Sequence, residues 1–329
     1  MKKHKICKIL LVILAIFLCV AFYELLGICV AYKKQPEVSN TTKKETKNGS
    51  WNECSENTER AVIIEKNPEA LLQRVRLIKN AKKEIILSTF AFQSDESGKL
   101  ILGALHDAAD RGVHIRLLVD GMESWIDMEG NPYFYGLSSH ENVEIKLYNK
   151  ANPLKPWKMM GRMHDKYLIA DGKRYILGGR NTHNYFLGDF PGHKNYDRDV
   201  LVVCDEPEKE NSVNQLLEYF ETIWEQENSG YFHDNKKLAN RKSVKNAVLE
   251  LQNGYQKYFE ENKERICDTD YTDETFETEK IALVSNPIHT GSKEPVVWYQ
   301  LGELMKNAKN RVKIHTPYII CNDMMYNTW

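Results

Sequence analysis

MHDKYLIADGKRYILGGRN, residues 163–181, is the stretch on which the local fold and the chemistry both turn. Met163 to Ala170 reads as a strand, Asp171-Gly172 as a hairpin-turn signal, and Lys173 to Leu177 as the returning strand. Side chains two apart on a strand share a face, so His164 and Lys166 are expected to project together while Asp165 points away. An imidazole nitrogen can bond phosphorus, and an ammonium beside it stabilises charge on the non-bridging oxygens, so the pair suits attack on a phosphodiester. Gly178-Gly179 removes side chains where backbone is expected to approach a ligand closely, and Asn181 adds an amide donor.

Each residue alone has a plainer role. A histidine on a strand is more often structural, Asp171 is what a tight turn selects anyway, and paired glycines commonly mark a bend. The joint spacing separates the two readings: His-x-Lys, four residues, Asp, six residues, Gly-Gly-x-Asn fixes six positions. At about one in twenty each, chance matches arise on the order of once in 10^5 chains of this length.

Outward from this segment the chain carries a repeat. LIKNAKKEIILSTFAF begins at Leu77 and LMKNAKNRVKIHTPYII at Leu304, and they align without a gap. Each reads as the end of an amphipathic helix followed by a buried strand, Glu84 to Phe92 and Arg311 to Ile319. Between them Leu100 to Arg111 has helical spacing, and Val113 to Val119 and Val143 to Tyr148 read as strands. Alternating strands and helices predict an α/β sandwich with a largely parallel or mixed sheet. Residues 208–226 and 236–266 read as charged amphipathic helices that pack rather than catalyse. The second copy runs only to Trp329, too short for a complete second unit.

Lys plus Arg number 45 and Asp plus Glu 46, so no global field attracts nucleic acid. The seven cysteines include no C-x-x-C pair, which argues against a zinc site and a disulfide framework. From Ile9 to Tyr23 every residue is apolar or aromatic, and after Glu24 the apolar character resumes to Ala31, long enough to span a bilayer. Glu24 is expected to snorkel to the interface. Lysines at 2, 3, 5 and 8 precede the span and those at 33, 34, 43, 44 and 47 follow it, so their count does not orient it; a short flank before a large domain favours an extracytoplasmic domain. The expected order is a basic flank (1–8), a transmembrane anchor (9–32), a flexible tether (33–59), a first domain (60–205), a helical segment (206–278) and an incomplete second domain (279–329). Residues 155–162, KPWKMMGR, mix cations with apolar residues and suit either anionic headgroups or a plain surface loop.

The motif spacing resembles that of the phospholipase D superfamily, matched position by position by His164, Lys166, Asp171, Gly178, Gly179 and Asn181, over roughly residues 60–329. The continuation, Tyr185-Phe186 and Asp197-x-Asp199-Val-Leu, resembles the bacterial cardiolipin synthase branch. The resemblance implies a phospholipase D-like α/β sandwich, a mixed sheet flanked by helices, with the second repeat truncated and one transmembrane helix ahead of it. It implies a site in which two such motifs meet, one histidine attacking phosphorus and the other protonating the leaving alcohol, and no metal or other cofactor. His164, Lys166 and Asp171 form the implied catalytic set, His164 as nucleophile and Asp171 supporting the hairpin more than touching substrate. Lys166, Gly179 and Asn181 are the implied phosphate binders. Asp199 is a candidate to orient His164, since a carboxylate on the second ring nitrogen fixes the tautomer; its plainer reading is a solvated charge at a strand edge.

No second His-x-Lys-x4-Asp occurs in the 329 residues, and His315 matches the first strand of the second repeat, so it is not the absent histidine. The other half of the site is thus expected to be missing or supplied by another chain. The function implied is a membrane-anchored phosphatidyltransferase, cardiolipin synthase-like, moving a phosphatidyl group from a phosphatidylglycerol-like phospholipid to an alcohol acceptor. A phospholipase D hydrolase, a single-motif nuclease with a two-chain site, and an inactive membrane-tethered protein are the alternatives. Neutral charge and the anchor count against nucleic acid as a partner.

Overall fold

The computed structural model describes residues 2–33, 36–49, 59–207, 211–233, 235–316 and 326. The chain divides into two compact units, one formed by residues 54–151 and 162–281, the other by 1–53, 152–161 and 282–329.

The first unit is built on a period-two alternation of apolar residues. Its strands are β1 (Arg60–Ile64), β2 (Glu84–Thr89), β3 (His114–Asp120), β4 (Val143–Tyr148), β5 (Tyr167–Ala170), β6 (Arg174–Gly178), β7 (Asp199–Val203), β8 (Ser229–Tyr231) and β9 (Phe276–Glu277). They form one mixed sheet in the order β8-β4-β3-β2-β5-β6-β7-β1-β9. β2, β3 and β4 are mutually parallel, and the other pairings are antiparallel. On one face Ile85 and Leu87, Ile115, Leu117 and Val119, Ile145 and Leu147, and Leu168 join a single buried cluster with residues of the helices Asn67–Asn80, Glu96–Asp110 and Lys242–Glu261. Arg116 and Tyr167 point to the other face, where they meet Phe220 of the helix Ser212–Trp224. The sheet is therefore flanked by helices on both faces, the architecture its strand and helix alternation predicts. At about 1.5–3 kcal/mol for each buried aliphatic side chain, these two layers hold the sheet together.

Segment 206–278 is not purely helical. Ser229–Tyr231 extends the sheet at the β4 edge and Phe276–Glu277 pairs with β1 at the other. Two expected strands are shorter than read. β2 stops at Thr89, beyond which Phe92 makes only a single bridge to Thr182, and β5 begins at Tyr167 rather than Met163.

In the second unit Lys2–Tyr32 is one helix, and Lys5–Ala31 within it is long and apolar enough to cross a membrane. Its Glu24 is half-buried, with one carboxylate oxygen shielded and without a hydrogen-bond partner among the described residues. Within the expected tether, Asn40–Asn48 is a helix, capped by Ser39 accepting from the Thr42 N–H and ended by Gly49 in the left-handed conformation at φ 73°. Local capping is joined by burial of Thr42 and Thr46 and by a bond from the Thr42 hydroxyl to Glu294 at 2.7 Å. The repeat helix forms over Val296–Lys306, but residues 311–316 of the expected strand Arg311–Ile319 have no regular structure, and 317–319 lie outside the described residues. A strand requires a neighbour to take its N–H and C=O groups, and every described strand lies in the other unit. Val312 and Ile314 are left exposed.

Candidate active site

The sheet register sorts the motif into two ends. β5 runs antiparallel to β2, pairing Ser88 with Tyr167 and Ile85 with Ala170. His164 and Lys166, just before β5, therefore lie at the edge where β2 and β3 finish. Gly178 ends β6 opposite Asp199 at the start of β7, at the same edge. Asp171 follows β5 and lies at the opposite edge.

His164 is solvent-exposed, with its ring set edge-on against Phe90 at 4.5 Å between centroids. The approach to it is fixed by Asp120, buried at the end of β3. Asp120 accepts from the Met163 N–H at 3.0 Å and from Arg162 Nε at 2.8 Å, and it caps the following short helix through the Met122 and Glu123 N–H groups. Arg162 also pairs with Glu123 at 3.0 Å and lies over Phe90. Partial burial, then the charge of Lys166, holds the His164 pKa below the ordinary imidazole value against the opposite pull of Asp120. Lys166, 6% exposed, donates from Nζ to the His164 carbonyl at 2.7 Å. Burial lowers its pKa to about 8, offset in part by Asp165 and Asp197. Asp165 turns the other way and accepts from Tyr219 at 2.7 Å. His164 and Lys166 therefore meet, but through an irregular segment ahead of β5 rather than by sharing a strand face.

The remaining predicted residues divide. Asn181 accepts the Ala91 N–H on Oδ1 at 3.3 Å, so its NH2 is the end it offers as donor. Asp171 stands in the left-handed region at φ 54° and accepts the N–H groups of Lys82, Lys83 and Glu84 at 2.7–3.1 Å. It ties the β5–β6 turn to the start of β2, at the far edge of the sheet from His164. Asp199, the candidate to orient His164, is not a solvated edge charge, and the ion pairs it makes are with arginines. It is 2% exposed and ion-paired to Arg74 at 2.9 Å and Arg180 at 3.2 Å. Two cations in the interior offset the cost of burying the carboxylate. Gly178 and Gly179 have an internal reason to lack side chains: a Cβ on Gly178 would collide with Asp199 Oδ1, and one on Gly179 with the Asp197 carboxylate.

Phe90, Asp120 and Glu123 belong to the site although no spacing rule pointed to them, because each arrives from another element, and Arg162 joins them from just ahead of His164 in the chain. His183 is also there to be noticed, two residues past Asn181. It is buried against Tyr185 and Phe186, its Nδ1 has no hydrogen-bond partner among the described residues, and burial lowers its pKa while Asp95 and Glu123 oppose the shift.

A family model described as "Cardiolipin synthase, PLD-like domain" matches residues 74–224. An uncharacterized protein of Helicobacter pylori strain J99 is 28% identical over 292 residues, covering 79% of this chain and 54% of its own. Cardiolipin synthase C of Escherichia coli K12 is 29% identical over 171 residues, 48% of this chain and 34% of its own. NucT from Helicobacter pylori superimposes with a TM-score of 0.42 at 16% identity, covering 53% of this chain and 99% of that one. Residues 74–224 thus carry a phospholipase D-like domain, of a superfamily whose members are generally phosphodiester-acting enzymes. The chain spans about half the length of the Helicobacter pylori relative and a third of cardiolipin synthase C.

Proposed function

We propose that this chain supplies one half of a membrane-anchored phosphatidyltransferase of the cardiolipin synthase kind, with His164 as the nucleophile. The observation that carries the reading is the exposed His164 ring beside a buried lysine that is bonded to its backbone. A lowered pKa keeps the imidazole neutral at pH 7, with a lone pair free to attack, while a lysine with a pKa of about 8 is still mostly charged. In the first step an imidazole nitrogen bonds phosphorus and the P–O bond to the leaving alcohol breaks. That oxygen takes its proton from the histidine of a second motif. In the second step the acceptor alcohol gives its proton to that histidine, its oxygen bonds phosphorus, and the P–N bond breaks to return His164. Lys166 and the NH2 of Asn181 stabilise the charge on the non-bridging oxygens.

The apolar helix Lys5–Ala31 supports the membrane setting and, with it, a lipid donor such as phosphatidylglycerol. Incubating the chain, together with a partner bearing a second motif, with labelled phosphatidylglycerol and, separately, with single-stranded DNA tests the proposal. Transfer of label to an alcohol acceptor is the expected result. Cleavage of the DNA with no lipid product would overturn it.

A further inference from the structure

The geometry points to residues 152–160 as a membrane-dipping loop that takes anionic phospholipid at the outer end of the apolar helix, on the reading above that this helix spans a bilayer. The loop is seated on the helix. Tyr23 donates from its hydroxyl to the Leu154 carbonyl at 3.0 Å, and Pro156 packs so close to Gly27 that a Cβ there would lie 2.5 Å from Pro156 Cγ. The apolar span ends at Ala31. At 1.5 Å per residue, Gly27 and Tyr23 lie about 6 and about 12 Å back along the axis from that end. The whole 27-residue span is roughly 40 Å long against a hydrocarbon core of about 30 Å, so a centred span overshoots by about 5 Å at each end, which puts Gly27 at the boundary between headgroups and acyl chains and Tyr23 about 6 Å deeper.

What the loop presents at that depth matches that boundary. Leu154, Trp157 and Met160 are 78%, 44% and 51% exposed, three large apolar side chains within seven residues. In water such a cluster needs a cover, and a loop already bonded to a membrane helix has acyl chains as its neighbour. Lys155 and Lys158 alternate with them, placing ammonium groups on long stems where phosphate headgroups lie. Trp157 has the amphipathic ring that favours this level of the bilayer. The loop also leads directly into the catalytic segment: Gly161 is followed by Arg162, Met163 and His164.

The test uses the full chain in vesicles of phosphatidylcholine, with or without phosphatidylglycerol, whose lipids carry bromine either near the glycerol or near the terminal methyl. The emission of Trp157 is the difference between wild type and Trp157→Phe. Shallow bromine is expected to remove roughly half of that component, as for a ring at the interface, and deep bromine much less. Quenching should be stronger with phosphatidylglycerol present, and Lys155→Glu with Lys158→Glu should abolish that preference. A Trp157 component unquenched in chain that resists alkaline extraction would overturn the loop and leave the anchor standing, whereas loss of the chain on extraction would overturn both. Equal quenching with and without phosphatidylglycerol would overturn the anionic preference.

Discussion

Lys166 reaches back along its own chain to donate from Nζ to the carbonyl of His164 at 2.7 Å. The cation and the imidazole are therefore parts of one folded segment, and neither can move independently of the other. Lys166→Ala is expected to lower the transfer rate by about 10^2- to 10^3-fold, as loss of a charge that addresses the transition state should. The rate constant at saturating lipid, in an assembly bearing both halves of the site, checks this. An effect confined to KM would make Lys166 a ground-state binder only.

His164→Ala is expected to abolish transfer, by on the order of 10^4-fold or more, with the fold intact because the ring is exposed, set edge-on against Phe90. Acid quenching followed by detection of phosphohistidine measures it. A phosphoenzyme that still forms in the variant would place the nucleophile elsewhere.

The activity should be bell-shaped in pH. It rises as His164 loses its proton, at a pKa below the ordinary imidazole value, and falls as Lys166 loses its own near pH 8. Lys166→Arg, whose guanidinium stays charged, should remove the alkaline limb while lowering the plateau. An alkaline limb that survives in the arginine variant would assign it to another group.

Asp199→Ala should destabilise the domain by about 3–5 kcal/mol, because it leaves Arg74 and Arg180 buried without their shared carboxylate. Urea unfolding measures the loss, and the His164 imidazole titration followed by NMR should not move. A shifted titration with little loss of stability would restore Asp199 as a positioning residue for the histidine.

Asp171→Ala should cost about 2–3 kcal/mol by depriving three N–H groups of their acceptor. Asp171→Gly should cost about 1 kcal/mol less, since glycine accepts the positive φ. Activity per folded molecule should be retained in both, and a selective loss of rate would return Asp171 to the chemistry.

Gly179→Ala should destabilise by about 1–3 kcal/mol, and Asp197→Ala should relieve part of that, because the three atoms nearest the added methyl belong to the Asp197 carboxylate. If Gly179 is needed only for substrate approach, stability will be unchanged and KM will rise.

Much of the molecule was legible from local pattern. Val143–Tyr148 is a strand over the residues its apolar alternation names, and the order of strands and helices gave the layered α/β arrangement. The Asp171-Gly172 turn follows from residues that tolerate positive φ, and the apolar helix near the N-terminus from composition alone. The second repeat shows where local pattern stops. Its helix forms because a helix satisfies its own backbone, whereas its strand, needing a partner that composition cannot supply, does not form over 311–316.

The same division runs through the site. Motif spacing alone brought His164, Lys166 and Asn181 to attention, since it records which residue types recur at fixed intervals in one chain segment. Only the tertiary structure decided what each motif residue touches. The β2–β5 register sent Asp171 to the far edge of the sheet, and the helix Asn67–Asn80 delivered Arg74 to Asp199. β3 brought Asp120 to hold the backbone just before His164. Those contacts join residues tens of positions apart in the chain, and such pairings exist only once the strands have chosen their neighbours.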